Sequence, residues 1–289
     1  MSGNTGGMRG SWAILLGAGL LLAGCSAPAR GTGTEADASS RGTGPSASAG
    51  SSVDSPAVSS PSGRASASGS SSDSSATSVF TPAASLVPRT AKDGGLLAES
   101  VVLAPADLGR DFGAQDPAES TPGTWAVLDE SCRWEREKLP RGVLASTSRY
   151  SRQPAAAGKS AIKVTAVATV HTDALGADEQ VSTTLEEVLR CPEQRPRSNE
   201  RITDLMSLGT PFGAREQEYA DDSVLEAGRF TENGGAAQSY RWMVARLGTV
   251  VVAVSVTGGT GHTDQELNEL GSKALAQMLT RVEQRLKEK

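Results

Sequence analysis

The chain has 289 residues, of which 37% are apolar and 21% are charged, and its formal net charge is −5. This length is sufficient for one domain with its own core, together with an extension. A mildly acidic chain lacks the basic surface that DNA or RNA binding requires, so nucleic acid is excluded as a partner.

The N-terminal residues have the layout of an export signal. A single positive charge, Arg9, precedes an apolar run from Trp12 to Ala23, which is shorter than the about 20 residues of a membrane span. The run ends in Leu22-Ala23-Gly24-Cys25, which resembles a bacterial lipobox. That resemblance implies cleavage before Cys25 and acylation of its thiol, with palmitate among the chains.

We therefore expect residues 1–24 to be a lipoprotein signal peptide. Cys25 would then hold the protein at the extracytoplasmic face of the cell membrane, since each buried CH₂ of an acyl chain contributes about 0.8 kcal/mol. The alternative is an ordinary secretory signal with a free cysteine. The start is open between Met1 and Met8, because Met8 directly precedes Arg9.

Residues 26–78 consist almost entirely of Ser, Ala, Gly, Pro and Thr. Between residues 46 and 78 the only bulky apolar side chains are Val53 and Val58. Such a segment does not bury enough apolar surface to offset the entropy of ordering it. We predict that residues 25–85 are a lipidated cysteine and a disordered tether with a reach on the order of 40 Å.

Residues 86–289 form the predicted globular domain. Val101–Leu103 reads as an apolar segment that enters a helical turn at Pro105. Asp116–Thr124 is rich in Pro and Gly and is predicted to be a loop. Gly142–Tyr150 and Ala161–Val170 are predicted to form a hairpin, because apolar residues alternate strictly in the second segment.

The spacing of apolar residues changes in the next predicted elements. Apolar residues recur at helical spacing over Ala177–Arg190, and Pro192 ends this predicted helix. Ile202–Leu208 and Glu216–Tyr219 are weak strand candidates, and Val224–Phe230 is a stronger one.

The C-terminal part gives the clearest signals. Gln238–Arg246 alternates as a strand, and Thr249–Val256 is so continuously apolar that a central strand covered on both sides is predicted. Thr263 and Glu266 form a capping box at the start of a final helix. This helix has one apolar stripe, which comprises Leu267, Leu270, Ala274, Met278, Val282 and Leu286.

The order of these elements, with hairpins instead of repeated crossovers, predicts the α+β class: a mostly antiparallel sheet with helices across one face. In an exported domain, Cys132 and Cys191 are expected to form one disulfide. A redox-active or metal-binding pair is the alternative, but Cys-x-x-Cys spacing is absent.

No residue of the sequence is a strong candidate for catalysis or for ligand binding. His171 and His262 are interpreted as solvated loop residues, with a ligand or base role as the alternative. Gly258–Gly261 resembles an anion-binding turn, but a flexible link is favoured because the Lys-Ser/Thr of a P-loop is missing. Asp129-Glu130 and Asp221-Asp222 are neighbours that we interpret as soluble turn residues. No catalytic residue, metal site or cofactor is predicted.

Six aromatic residues either fill the core or line a groove for a lipid or glycan: Trp125, Trp134, Tyr150, Tyr219, Tyr240 and Trp242. A core position is favoured for Trp242, and the two roles are evenly balanced for Trp125.

The lipobox, the tether and the C-terminal hairpin that reads Tyr240-Arg241-Trp242-Met243-Val244-Ala245-Arg246-Leu247-Gly248-Thr249-Val250-Val251-Val252 are found together here. They resemble the extracellular sensor domain family of the mycobacterial kinase PknH and of free-standing actinobacterial lipoproteins. The resemblance implies an antiparallel sheet packed with helices, and a disulfide-stabilised cleft for an extracellular ligand. Family members commonly carry four domain cysteines, whereas this domain has two.

The hypothesis that follows is a non-catalytic, membrane-anchored lipoprotein with a sensor-like domain. Its partners would be the membrane, through the lipid, and an unknown extracellular ligand or envelope protein. The alternatives are a hydrolase of envelope material with a site near Asp221, Asp222 or His262, and a structural protein that presents its sheet to an envelope partner.

Overall fold

The computed structural model describes residues 80–287, and these form an α+β domain that confirms the predicted class. Residues 1–79 lie outside the described part, and with them the signal peptide, Cys25 and most of the tether. The helices are α1 (Ala91–Val101), α2 (Pro105–Leu108), α3 (Ala174–Arg190) and α4 (Asp264–Leu286). The strands are β1 (Gly113–Glu119), β2 (Thr124–Leu128), β3 (Trp134–Lys138), β4 (Val143–Gln153), β5 (Ile162–His171), β6 (Glu200–Gly209), β7 (Asp222–Glu232), β8 (Gln238–Leu247) and β9 (Val250–Gly258).

Seven strands form one antiparallel sheet in the order β1-β4-β5-β9-β8-β7-β6, and β2 and β3 form a separate hairpin. The continuously apolar strand, β9, lies at the centre, and every residue of it except Ser255 is buried. Helices cover most of β9 on both sides, which explains why the usual alternation with polar residues is lost over Val250–Val254.

One face of the sheet carries the main core. The side chains of Val250, Val252, Val254 and Val256 on β9 pack here with buried residues of α1 and α4. The predicted capping box starts α4: Thr263 accepts the Glu266 N–H, and the Glu266 carboxylate accepts the Thr263 N–H. Phe80 also packs against this core.

The opposite face is divided between a helix and a hairpin. Ala177 and Val181 of α3 pack on Val251 and Ala253 of β9. The prediction of helices on one face is therefore wrong, because α3 crosses to the side opposite α4. The sheet needs this helix because its central strands are apolar on both faces.

One further local prediction is wrong, one is only partly confirmed, and one helix was not predicted. Glu216–Tyr219 is not a strand: a 3₁₀ helix spans Gly213–Glu218, held by the bond from the Tyr219 N–H to the Glu216 carbonyl. The predicted Asp116–Thr124 loop is only partly confirmed: residues 120–123 form the turn before β2, whereas Asp116–Glu119 belongs to β1, which pairs with β4 at the sheet edge, where Pro117 is tolerated. The predicted helical turn is confirmed, because α2 begins at Pro105, but Val101 ends an eleven-residue helix, α1, that no pattern in the sequence predicted.

Candidate ligand-binding cleft

A cleft of about 460 Å³ lies on the part of the sheet that α3 leaves uncovered. Its wall opposite the sheet is the β2–β3 hairpin, from which Ala126, Trp134 and Arg136 project towards the sheet. Pro117 of β1 and Pro196 from the loop before β6 line its ends. A volume in this range is typical of small-ligand sites.

The disulfide joins this hairpin to the rest of the domain. Cys132, in the turn between β2 and β3, bonds to Cys191 at the C-terminus of α3, which confirms the predicted pairing. Arg190 adds two hydrogen bonds from its guanidinium to the Leu128 and Asp129 carbonyls. The hairpin belongs to no larger sheet, so these bonds set the distance of the hairpin wall from the sheet.

A second group of contacts holds the hairpin to the loop after α3. The Trp134 N–H donates to the Arg195 carbonyl, and the Arg195 N–H donates to the Cys132 carbonyl. The Trp134 indole N–H donates to Gln194 Oε1 at 2.8 Å. The indole is thereby fixed with its ring in the cleft.

The sheet side of the cleft, which we call the cleft floor, consists of two rows of side chains across four strands. In one row the residues opposite one another are Tyr150, Thr165, Ser255 and Trp242. In the other row Lys163, Thr257 and Tyr240 are opposite one another. Neighbouring strands lie about 4.8 Å apart, so hydroxyls alternate with aromatic rings over a short distance.

Most polar atoms of the cleft floor have free hydrogen-bonding capacity. Within residues 80–287 no hydrogen-bond partner contacts the side chains of Tyr150, Thr165, Tyr240, Trp242 or Ser255. These side chains are partly exposed, so water satisfies them when the cleft is empty. A ligand that offers donors and acceptors replaces that water without loss of hydrogen bonds.

The charged groups around the cleft are mostly paired. Glu200 contacts Lys163 at 3.7 Å and Arg197 at 3.2 Å, and Glu119 contacts Arg149 at 2.6 Å. Arg136 differs: across the described chain no carboxylate lies within ion-pair distance of its guanidinium. Its Nε and Nη2 atoms donate to the hydroxyl and the carbonyl of Thr124, both at 2.9 Å.

A buried acid lies beside the cleft floor. Glu226 on β7 is opposite Trp242 and is 3% exposed, and its Oε1 has no hydrogen-bond partner within the described residues. Burial raises the pKa of Glu226 to about 8, with a further contribution from Glu187 of α3. Burial likewise raises the pKa of Glu187 to about 7, while Arg190 opposes this change. Desolvation, followed by the Glu226 and Glu200 charges, raises the pKa of Tyr240, so its phenol stays neutral.

The two histidines do not lie together in one site. His171 is buried at the end of β5 and forms a hydrogen bond of 2.7 Å with Gln180, so its interpretation as a solvated loop residue is wrong. Desolvation lowers the pKa of its imidazole. His262 is half-buried, and its Nε2 lies 2.9 Å from the Ser160 carbonyl, which it fixes against the loop before α4.

The Gly258–Gly261 segment links β9 to α4. Its contacts are internal to the domain: the Gly259 N–H donates to Ser160 Oγ, and the Ser160 N–H donates to the Thr260 carbonyl. The N-terminus of α4 is already capped by Thr263 and Glu266. The segment therefore acts as a strand-to-helix link.

The paired aspartates also have structural partners. Asp221 and Asp222 both contact the guanidinium of Arg246, and Asp221 also accepts the Gly248 N–H at 2.8 Å. They are not the free turn residues that the sequence indicated. They lie at the opposite end of β9 from His262, about 30 Å away along the strand. The residues proposed for a hydrolase site do not converge.

Asp129 stabilises the hairpin turn, and it lies outside the cleft lining. Its Oδ1 accepts the N–H groups of Ser131 and Arg133, both at 2.8 Å, and these bonds together with the Arg133 guanidinium hold the pKa of Asp129 below its usual value. Glu130 is exposed beside it. In residues 80–287 no group of three or more His, Cys, Asp or Glu residues is placed to hold a metal ion.

The aromatic residues divide between core and cleft. Trp134, Tyr150, Tyr240 and Trp242 line the cleft, whereas Trp125 does not. Trp242 does both, because its ring packs against the Val244 and Val251 cluster under α3 and also lines the cleft. Tyr219 stacks on Phe212 at 4.9 Å beside the main core.

Five cleft residues were not predicted from the sequence: Arg136, Lys163, Thr165, Ser255 and Thr257. One signal was available: at alternate positions of β9 the side chains run Val251, Ala253, Ser255, Thr257. The change from apolar to hydroxyl marks the point at which α3 no longer covers the sheet. Without the position of α3, however, the same alternation is typical of an ordinary exposed strand end.

Fold and cleft together define an antiparallel α+β domain with a small-molecule-sized cleft between its sheet and a disulfide-linked hairpin. No helix within the described residues has the length and apolarity needed to cross a membrane. Neither a family model nor a curated protein matches the sequence.

The solved structures that are similar to this chain include two mycobacterial proteins. One is the extracellular domain of PknH from Mycobacterium tuberculosis, with 12% identity, a TM-score of 0.44, and coverage of 71% of this chain and 98% of that one. The other is an uncharacterized protein from Mycobacterium smegmatis, with 13% identity, a TM-score of 0.33, and coverage of 64% and 98% respectively. The family resemblance stays a prediction.

Proposed function

We propose that this protein is a non-catalytic, lipid-anchored extracytoplasmic binding protein whose cleft holds a small envelope ligand. The observation that carries the proposal is the cleft floor: partly exposed hydroxyls, phenols and an indole N–H without partners, interleaved with aromatic rings. A convergent set of a few polar groups on an otherwise apolar wall is the usual composition of ligand sites. The sensor-like role drawn from the sequence resemblance is part of the same proposal.

The cleft is tested on the mature full-length protein extracted from membranes of its own host. Native mass spectrometry of the parent is expected to show a non-covalently retained small molecule. Trp242→Ala should lose it, because the variant removes the largest ring of the cleft floor. Trp125→Ala is the matched control, since this indole lies outside the cleft, and it should retain the molecule.

A second readout covers a ligand that is lost during extraction. Fractions of an envelope extract are titrated into the parent while tryptophan fluorescence is followed. A parent that carries no retained molecule and responds to no fraction contradicts the proposal. Equal retention in Trp242→Ala and the parent would contradict it as well.

The anchor is tested separately. Cells that express the parent or Cys25→Ser are labelled with a palmitate analogue. We expect label on the parent only, and Cys25→Ser should move from the membrane fraction to the soluble fraction. An unlabelled parent would contradict the lipid anchor, but it would not bear on the proposed binding function of the cleft.

A further inference from the structure

We propose that the ligand of the cleft is a saccharide that carries an oxyanion, with its sugar rings on the cleft floor and the oxyanion at Arg136. This inference rests on the proposed binding function and narrows it to one chemical class. Three features of the cleft support it: the interleaving of rings and hydroxyls, the distribution of its aliphatic residues over different strands and loops, and the guanidinium without a carboxylate partner.

The cleft floor matches the two kinds of surface that a sugar presents. A pyranose ring has an apolar C–H face, which packs on aromatic rings such as those of Tyr150 and Trp242. Its edge carries hydroxyls that both donate and accept, as the hydroxyls of Thr165 and Ser255 do. These two residues are opposite one another on β5 and β9, about 4.8 Å apart, which is close to the width of one sugar ring.

An acyl chain fits this surface poorly. It would cover the hydroxyls of Thr165 and Ser255 without offering any hydrogen bond in return. A buried polar group that loses its water and gains no partner costs free energy, and the cost is repeated for each group. The aliphatic residues that line the cleft each come from a different strand or loop: Pro117, Ala126, Val167, Pro196 and Ile202.

Arg136 supplies the charge selectivity. Its Nε and one Nη2 proton are used on Thr124, which fixes the plane of the guanidinium. Its Nη1 atom, 3.5 Å from Ser148 Oγ, points across the cleft toward the sheet with donors to spare. A guanidinium whose orientation is already fixed binds an oxyanion with little further loss of side-chain entropy.

The neighbouring charges reinforce this selectivity. The other two cations of the cleft, Lys163 and Arg197, are both engaged by Glu200. The carboxylate Glu135 on the hairpin is engaged by Arg133 at 3.2 Å. Within the described residues Arg136 is therefore the one cation of the cleft lining without a carboxylate partner. An anionic ligand would supply that partner.

The test uses the mature full-length protein on an array of neutral and oxyanion-bearing glycans, followed by titration. The titrated probes are a glucuronic acid–N-acetylglucosamine disaccharide, neutral diacetylchitobiose and dodecanoate. We expect the acidic disaccharide to bind about 10- to 100-fold more tightly than the neutral one, as for one charge-assisted hydrogen-bonded contact. Added salt should reduce the difference.

Three variants locate the contact. Arg136→Met should lower affinity for acidic glycans to the level of the neutral ones. Arg136→Lys, which keeps the charge, should retain part of the preference and so separates loss of charge from disturbance of the hairpin. Arg201→Met, an exposed arginine on β6 outside the cleft lining, should bind as the parent does.

The outcomes distinguish this inference from the proposed function. Dodecanoate binding, or a retained non-sugar molecule, with no response to any glycan would overturn the saccharide while the cleft remains a binding site. Equal affinity for neutral and acidic glycans would overturn the role of Arg136. If no glycan, no dodecanoate and no retained molecule is bound, both the inference and the proposed function fail.

Discussion

Replacing Glu226 with glutamine removes a carboxylate that the fold buries without a partner. The folded pKa of Glu226 is about 8, compared with 4.5 for an ordinary glutamate. Between these two values the folded carboxyl keeps its proton while the unfolded one has released it. The folded state therefore binds more protons, and the free energy of unfolding falls as pH rises from about 4.5 to about 8.

The magnitude follows from the two pKa values. Each pH unit between them corresponds to about 1.4 kcal/mol, so the full difference corresponds to an upper value of about 5 kcal/mol. Part of this penalty is shared with Glu187, and the surrounding side chains relax when charge appears. We expect Glu226→Gln to be more stable than the parent by on the order of 3 kcal/mol near pH 8, and to be close to the parent near pH 4.5.

Urea unfolding followed by tryptophan fluorescence measures this difference at a series of pH values. The buried His171, whose pKa is lowered, gives the opposite slope at acid pH. It is present in both proteins, so it cancels when the variant is compared with the parent. Glu193→Gln, an exposed position, is the control and should change the unfolding free energy by less than about 0.5 kcal/mol at every pH. A Glu226→Gln effect that is the same at both ends of the pH range would refute the reasoning.

Three further outcomes are expected. Replacing Cys132 and Cys191 with serine should lower the unfolding free energy by about 4 kcal/mol, because the disulfide closes a loop with a separation of 59 residues. It should also speed amide hydrogen exchange in the hairpin. Unchanged exchange would show that the hydrogen bonds alone hold the hairpin wall. Gly228→Ala should lower the unfolding free energy by about 1–3 kcal/mol, because the new Cβ would lie 2.8 Å from the Thr203 carbonyl oxygen. Gly113→Ala is the control and should leave the unfolding free energy nearly unchanged, because no atom lies within 4 Å of its Cβ position. Equal urea midpoints for the two variants would contradict this. Thr263→Ala should lower the unfolding free energy by about 1 kcal/mol, because it removes the side chain that caps α4. An unchanged thermal midpoint would mean that packing alone fixes the start of the helix.

Local patterns in the sequence determined several elements because each pattern has one structural explanation. The alternation over 162–170 predicts one strand of the β4–β5 hairpin, and the capping box at Thr263 predicts the start of α4 within a residue. The pairing of Cys132 with Cys191 follows from the presence of only these two cysteines in a domain that is expected to be exported. The apolar run of β9 predicts a strand covered on both sides, as observed.

The cleft depended on long-range packing that local patterns do not encode. Its floor combines residues of β4, β5, β8 and β9, and its hairpin wall is held by a bond to the end of α3. Whether Ser255 is an exposed strand end or part of a site depends on where α3 stops covering the sheet, and whether Glu226 is solvated or buried depends on the same helix. A sequence fixes the polarity of each side chain, but only the tertiary packing decides which polar side chains keep water and which lose it.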